Sequence, residues 1–293
     1  MNESEFRSIL EEVSTDNLKK NLNRLSDFHT RHSKSPILND AGEFIMKELK
    51  GLGYMNTFYH YFGATIDNEE FELRNIVCEK KGIDGKLVII CAHYDSIMNR
   101  KEDSNSRAPG ANDNGSGVSG LIEIARVLHK ERLKHSVQFV FFSGEEQGLL
   151  GSKSYAKYIK ESGIDLHRLI NLDMIGYPFL ESNTVIIERD NNPDRRHNRI
   201  IENDVESIKF GEIMRGLAST VGLQFHLDSI YDSDYEPFET KGYIVIGVYD
   251  GSADPVKNPH YHSSSDLPRN INWNYLTSVV KLVLATVLKI DSI

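Results

Sequence analysis

A chain of 293 residues, 39% hydrophobic and 26% charged, has the composition of a soluble globular protein, with apolar material for one large core or two modest domains. Its formal net charge of −9 argues against nucleic acid or an anionic membrane as the main partner. Two cysteines, Cys78 and Cys91, make no disulfide framework, and Cys-x-x-Cys is absent.

The opening residues, MNESEFRSILEEV, have no basic segment followed by an apolar run. The most apolar segment near the carboxyl end, VVKLVLATVL, is short for a bilayer span and carries Lys281. A cytoplasmic location is the expectation. Residues 3–30 place Ile9, Leu10, Val13, Leu18, Leu22 and Leu25 at helical spacing, and Asn39 is a candidate cap for a second helix ending near Gly51 and Gly53. Strands are predicted at about 55–62, 72–79 and 86–92. Asp84-Gly85 reads as a hairpin turn between the last two, which would set Cys78 opposite Cys91 as reduced thiols.

A polar loop follows, then a helix at about 115–131, the strand SVQFVFFS and a helix at about 152–162. RLINLDMIG and TVIIERD are strand-like, a helix is predicted at about 206–221, and YIVIGVYD is a strand. The chain closes with a helix at about 272–290. Strands alternating with helices indicate an α/β fold in three layers, α/β/α, around a mixed, largely parallel sheet. No repeat or linker interrupts the chain, so residues 1–293 are expected to form a single domain with the helices of about 3–52 packed onto it.

Gly115-Ser116-Gly117-Val118-Ser119-Gly120 matches G-x-G-x-x-G, but a long polar loop precedes it instead of a strand. Tight turning and close helix packing explain these glycines better than a dinucleotide. HExxH, GxSxG and Walker motifs are absent. A set of metal-type side chains instead recurs at strand ends and adjoining loops: His93 and Asp95, Asp113, the adjacent Glu145 and Glu146, Asp173 and His262. Open α/β sheets carry their sites at the carboxyl ends of strands. So many carboxylates at one edge repel one another unless cations lie among them. Two histidines and three carboxylates, one bridging, give two metals three protein ligands each, with room for a shared water. Nitrogen and oxygen donors without thiolate suit zinc, with cobalt or manganese as substitutes.

The pieces CAHYDS, GANDNGSGVSGLIEIARVL, FFSGEEQGLLGS, NLDMIGY, SDYEPFETKG and YHSSSDLP occur in one order over about residues 87–268. In that order they resemble the co-catalytic di-zinc aminopeptidases of peptidase family M28. The resemblance implies that Asp113 bridges two zinc ions, that His93 and Asp173 complete one site, and that Glu146 and His262 complete the other. It implies Glu145 as the general base, Asp95 orienting His93, and a cis Asp113–Asn114 peptide bond. Tyr231 is a candidate donor to the oxyanion or contact to the substrate. The implied substrates are peptides with a free N-terminus, cleaved at the first peptide bond. Many relatives carry His where this chain has Tyr235, and commonly Asp where it has Asn114; neither change removes a ligand. A pocket near Met174, Tyr231 and Phe238 would suit apolar side chains, although core packing explains the three equally well. Alternatives are a glutaminyl cyclase on the same fold and a non-catalytic binding domain that keeps the frame; an M20-type peptidase usually carries an inserted dimerisation domain, for which the sequence shows no room.

Overall fold

A computed structural model describes residues 2–178 and 183–292. The amino-terminal region expected as one helix is two, α1 (Glu3–Glu11) and α2 (Thr15–Asp27). Ser14 makes the break: its side chain accepts from the Asn17 amide, satisfying a donor that a first helical turn leaves unpaired. The apolar spacing runs through the break and hides it. α3 (Ile37–Gly51) starts after Pro36, so Asn39 lies inside its first turn and does not cap it.

β1 (Thr57–Ile66) and β2 (Glu69–Lys80) form an antiparallel hairpin through Asp67 and Asn68, whose φ values are 52° and 65°. Asp and Asn tolerate that left-handed turn better than most residues. β3 (Leu87–His93) does not pair with β2. β4 (Ser136–Phe142) lies between them, antiparallel to β2 and parallel to β3. The hairpin expected at Asp84-Gly85 is therefore absent, and Cys78 and Cys91 do not face each other. Cys78 pairs with Phe139 and packs into one apolar cluster, while Cys91 pairs with Val140 and packs into the cluster on the other face. Every residue of β3 is buried, which requires a partner along both of its edges.

α4 (Gly117–Leu128), α5 (Leu150–Glu161), β5 (Leu166–Leu172), β6 (Thr184–Arg189), α6 (Asp204–Leu217), β7 (Gln224–Ser229), α7 (Glu236–Glu239), β8 (Val245–Tyr249) and α8 (Trp273–Asp291) complete the fold. β7 escapes sequence reading because QFHLDS is largely exposed and lacks a buried apolar face. The sheet order is β1-β2-β4-β3-β5-β8-β6-β7, with β4, β3, β5 and β8 mutually parallel. One buried cluster joins one sheet face to α1, α2, α3, α4, α6 and α8; the other joins the opposite face to α5 and α7. By length and composition α8 is apolar enough to cross a membrane, contrary to the expectation from VVKLVLATVL, but 67% of its apolar window is buried inside the protein, the pattern of a core helix.

The glycines of the false dinucleotide motif serve packing. A Cβ on Gly117 would meet the Leu172 carbonyl oxygen at 2.8 Å, and one on Gly120 would meet Val280 of α8 at 2.9 Å. Gly120→Val is expected to destabilise the protein by about 1–3 kcal/mol through overpacking. An unchanged urea midpoint would refute this account of the α4–α8 contact.

Candidate metal centre and active site

The carboxyl ends of β4, β3, β5 and β8 share one edge of the sheet, and the residues singled out by sequence collect there. His93 closes β3, Glu145 and Glu146 follow β4, and Asp173 follows β5. Gly144 turns the chain toward the two glutamates with φ 74°. Asp113 lies in the irregular turn before α4, and its peptide bond to Asn114 is cis. His262 arrives from the long loop after β8.

His93 Nε2 is 3.3 Å from Asp113 Oδ1 and 3.2 Å from Asp173 Oδ1. His262 Nε2 is 3.0 Å from Asp113 Oδ2 and 3.2 Å from Glu146 Oε2. Two groups of potential ligands result, His93–Asp113–Asp173 and Asp113–Glu146–His262, with the donor atoms of each within 4.8 Å of one another. They share Asp113, one oxygen toward each histidine. Glu145 belongs to neither of these groups but forms a third with His93 and Glu146, its donor atoms likewise within 4.8 Å of one another.

The electrostatics favour a cation here. Burial pushes the Glu146 carboxyl up to about 7, with Asp113 adding to the rise. Burial also lifts Glu145 well above the carboxylate range; His93 opposes the shift, and Glu146 and Asp173 reinforce it. Burial opposes charge on both histidines, but neighbouring carboxylates outweigh it. Asp173 and Glu145 raise His93, and Glu146 and Asp113 raise His262 to about 10. Asp113 is held below its ordinary range by His262 and His93 despite its burial. Buried Glu146 Oε1 and His93 Nδ1 lack hydrogen-bond partners. Divalent cations bound by nitrogen and oxygen would replace the protons that the bare cluster must hold.

The supporting shell differs in part from expectation. Asp95 Oδ1 lies 3.6 Å from His93 Nδ1, too far for a hydrogen bond. Its two oxygens instead accept the backbone amides of Glu145 and Glu146, at 3.3 and 3.2 Å. Asp95 thus fixes the turn that presents both glutamates. Several contributors carried no sequence signal. Ser233 donates to Asp173 Oδ2 at 2.6 Å and itself accepts from Asn171. Asp266, within the quoted YHSSSDLP segment, accepts the amides of Asn112 and Asp113. Arg31, wholly buried, donates to the carbonyls of Leu25, Tyr94, Pro109 and Gly110. Burial lowers its guanidinium to about 10, against the fields of Asp266, Asp95, Asp113 and Glu146. Its positive charge is thus built in behind the acids.

A cavity of about 810 Å³ opens beside the cluster. Met174 and Tyr231 line it, but Phe238 does not: Phe238 is buried in the core, its ring 6.1 Å from that of Phe142. The apolar pocket expected from those three residues is therefore not formed. Tyr231 is 63% exposed, its ring tilted against that of His197 with centroids 4.4 Å apart, so it stands at the mouth and is no core residue. Tyr261 lines the same cavity and stacks on His262 at 3.8 Å.

The family model described as peptidase family M28 matches residues 75–287. The chain belongs to peptidase family M28. A probable zinc metalloprotease of Pyrenophora tritici-repentis is 27% identical over 335 residues, covering 98% of this chain and 76% of that protein. A probable leucine aminopeptidase of Arthroderma otae is 26% identical over 290 residues, covering 95% and 73%. Among solved structures, the Legionella pneumophila LapA aminopeptidase has a TM-score of 0.79 at 23% identity, covering 100% of this chain and 76% of that one. The Porphyromonas gingivalis glutaminyl cyclase has a TM-score of 0.77 at 20% identity, covering 94% and 98%. At these identities the structural likenesses speak to fold. The M28 chain is an enzyme of an α/β zinc-peptidase architecture.

The bare cluster sets a pH dependence. The folded value of Glu146, about 7, lies above its ordinary 4.5, so the folded state is favoured at low pH and loses that advantage as pH rises through 7. The folded value of His262, about 10, lies above 6.5, so its contribution is complete below 6.5 and is lost as pH rises toward 10. Both act in one direction. After chelation, the melting temperature is expected to fall as pH rises from about 5 to about 9, and added zinc to raise it more at the alkaline end. A chelated protein whose melting temperature rises with pH over that interval would contradict this electrostatic account.

Proposed function

We propose that this M28 chain is a di-zinc aminopeptidase that hydrolyses the first peptide bond of peptides with a free N-terminus. The observation that carries the reading is the pair of ligand groups sharing Asp113, with Glu145 beside them at the wall of an open cavity. His93, Asp113 and Asp173 would hold one zinc, and Asp113, Glu146 and His262 the other; cobalt or manganese could substitute. Bound there, the metals would supply Lewis acidity toward the scissile carbonyl and the attacking water. Glu145 takes the water's proton as the new C–O bond forms, then delivers it to the departing amine nitrogen as the C–N bond breaks. Its carboxyl, lifted above the ordinary range, suits a group that both accepts and returns a proton. Asp173 and Glu145 face the substrate's ammonium, which makes cleavage exo and N-terminal. Ser233 occupies Asp173 Oδ2 and so leaves Oδ1, the oxygen beside His93, to the metal. Tyr231, exposed at the mouth, is assigned as the donor to the developing oxyanion.

A glutaminyl cyclase reading is supported by the likeness to the Porphyromonas gingivalis enzyme. It uses the same edge of the sheet but predicts a different product. A peptide beginning with glutamine would release ammonia and keep its length, whereas the aminopeptidase frees glutamine.

Glu145→Gln is expected to retain metal and lose about 10²–10⁴-fold in kcat, the worth of a general base. Glu146→Ala is expected to lower metal occupancy instead. Near-normal turnover in Glu145→Gln, with metal content measured alongside, would remove the base assignment. A panel of free and N-acetylated aminoacyl substrates with added zinc tests the exo-specificity. Only free-amine substrates should turn over, and equal cleavage of blocked ones would defeat the reading.

A further inference from the structure

The cavity beside the zinc-type cluster extends from Asp173, at the end of β5, past β8 to β6 and β7. Its wall there is acidic. Glu188 of β6 is partly buried in the lining, and Asp228 and Asp232 stand exposed at the rim. Lys101 is the one Lys or Arg among the described lining residues.

Glu188 is fitted into this wall. It lies opposite Gly247 of β8 in the sheet register. A Cβ on Gly247 would come 2.3 Å from Glu188 Oε2 and 2.6 Å from Tyr235 Cε1, so the carboxylate lies directly over bare backbone. The Tyr235 hydroxyl, which accepts from the Tyr231 amide at 2.9 Å, bonds to Glu188. Tyr235 thereby orients the carboxylate. The cations that follow it in sequence are engaged elsewhere, Arg189 with Glu212 at 3.3 Å, Arg195 with the Asn198 carbonyl at 3.1 Å and Arg196 with Asp194 at 2.5 Å. Burial pushes the Glu188 carboxyl up to about 8, with Asp173 adding to the rise and Tyr235 opposing it, so a cation arriving in the cavity is what favours its ionised form.

We infer that the cavity receives the cationic side chain of an N-terminal lysine or arginine, with Glu188 as the specificity-determining partner. This rests on the aminopeptidase reading, because it takes the α-amine to sit at Asp173 and Glu145. Asp173 ends β5 and Glu188 lies on β6 with β8 between, a separation of about two strand spacings, roughly 10 Å. Lysine and arginine carry two cationic groups far enough apart to engage both carboxylates at once, while Met174 and Tyr249 flank the aliphatic stem. Asp228 and Asp232 favour the same charge on approach.

The test compares kcat/KM for lysyl, arginyl, norleucyl, leucyl and glutamyl p-nitroanilides with the zinc-loaded protein. Norleucine matches lysine in length without the charge. Lysyl and arginyl substrates are expected to exceed norleucyl by about tenfold or more, the scale of a charge-assisted hydrogen bond. Glu188→Gln, nearly isosteric, should cut the lysyl-to-norleucyl ratio by a similar factor, and Glu188→Leu should invert it. Thermal melting checks that each variant is folded; if neither is, the ratios of the unaltered enzyme decide alone. Cleavage that favours norleucyl or leucyl, or a ratio unmoved in folded variants, overturns this inference and leaves the aminopeptidase standing. Failure to cleave any free-amine substrate overturns both.

Discussion

The mutual repulsion of carboxylates gathered at one buried edge governs much of this molecule. Asp113, Glu145, Glu146 and Asp173 converge on two imidazoles, and burial makes each added negative charge costly. The chain meets part of this from within. Arg31 holds a full positive charge behind the acids while giving all its named hydrogen bonds to carbonyls. Asp266 and Asp95 direct their charge onto backbone amides, which stiffens the turns that carry Asp113 and the two glutamates. What remains after these contacts is a negative field open to divalent cations and to the amine of a substrate.

Parallel strands make the convergence possible. A parallel strand pair sends both carboxyl ends to the same edge, so β4, β3, β5 and β8 deliver Glu145, His93, Asp173 and the His262 loop to one place. The insertion of β4 between β2 and β3 matters here. A simple β2–β3 hairpin would have left β3 antiparallel to its neighbour, and would have moved the glutamates away from His93.

Much of the centre was legible because His93, Glu146 and Asp173 follow apolar runs that end abruptly, as VIICA ends at His93 and VQFVFFS ends at Gly144-Glu145-Glu146. Strand ends can be read one at a time, and α/β folds gather them. Strand order cannot be read that way, because it depends on long-range pairing; the misplaced cysteine pair is the result. Arg31 was invisible for a related reason. It lies in a segment without motif, and only tertiary contact separates it from any surface arginine. Glu188 ends a strand-like run as plainly as His93 does, but its meaning comes from Gly247 and Tyr235, which are distant in sequence and adjacent in space.

Asn114 carries the electrostatic theme one step further. Its Nδ2 donates to the Leu172 carbonyl at 2.8 Å, and its Oδ1 accepts the amides of Gly117 and Met174. The side chain thus ties the bridging turn both to the end of β5 and to the start of α4. An ionised aspartate could keep the two accepted bonds, but it would set a negative oxygen against the Leu172 carbonyl and add a fifth carboxylate to Asp113, Glu145, Glu146 and Asp173. Either a proton or a further cation would then be required. With asparagine the tie is neutral, and the negative charge at this edge is concentrated on the side chains that face the cavity.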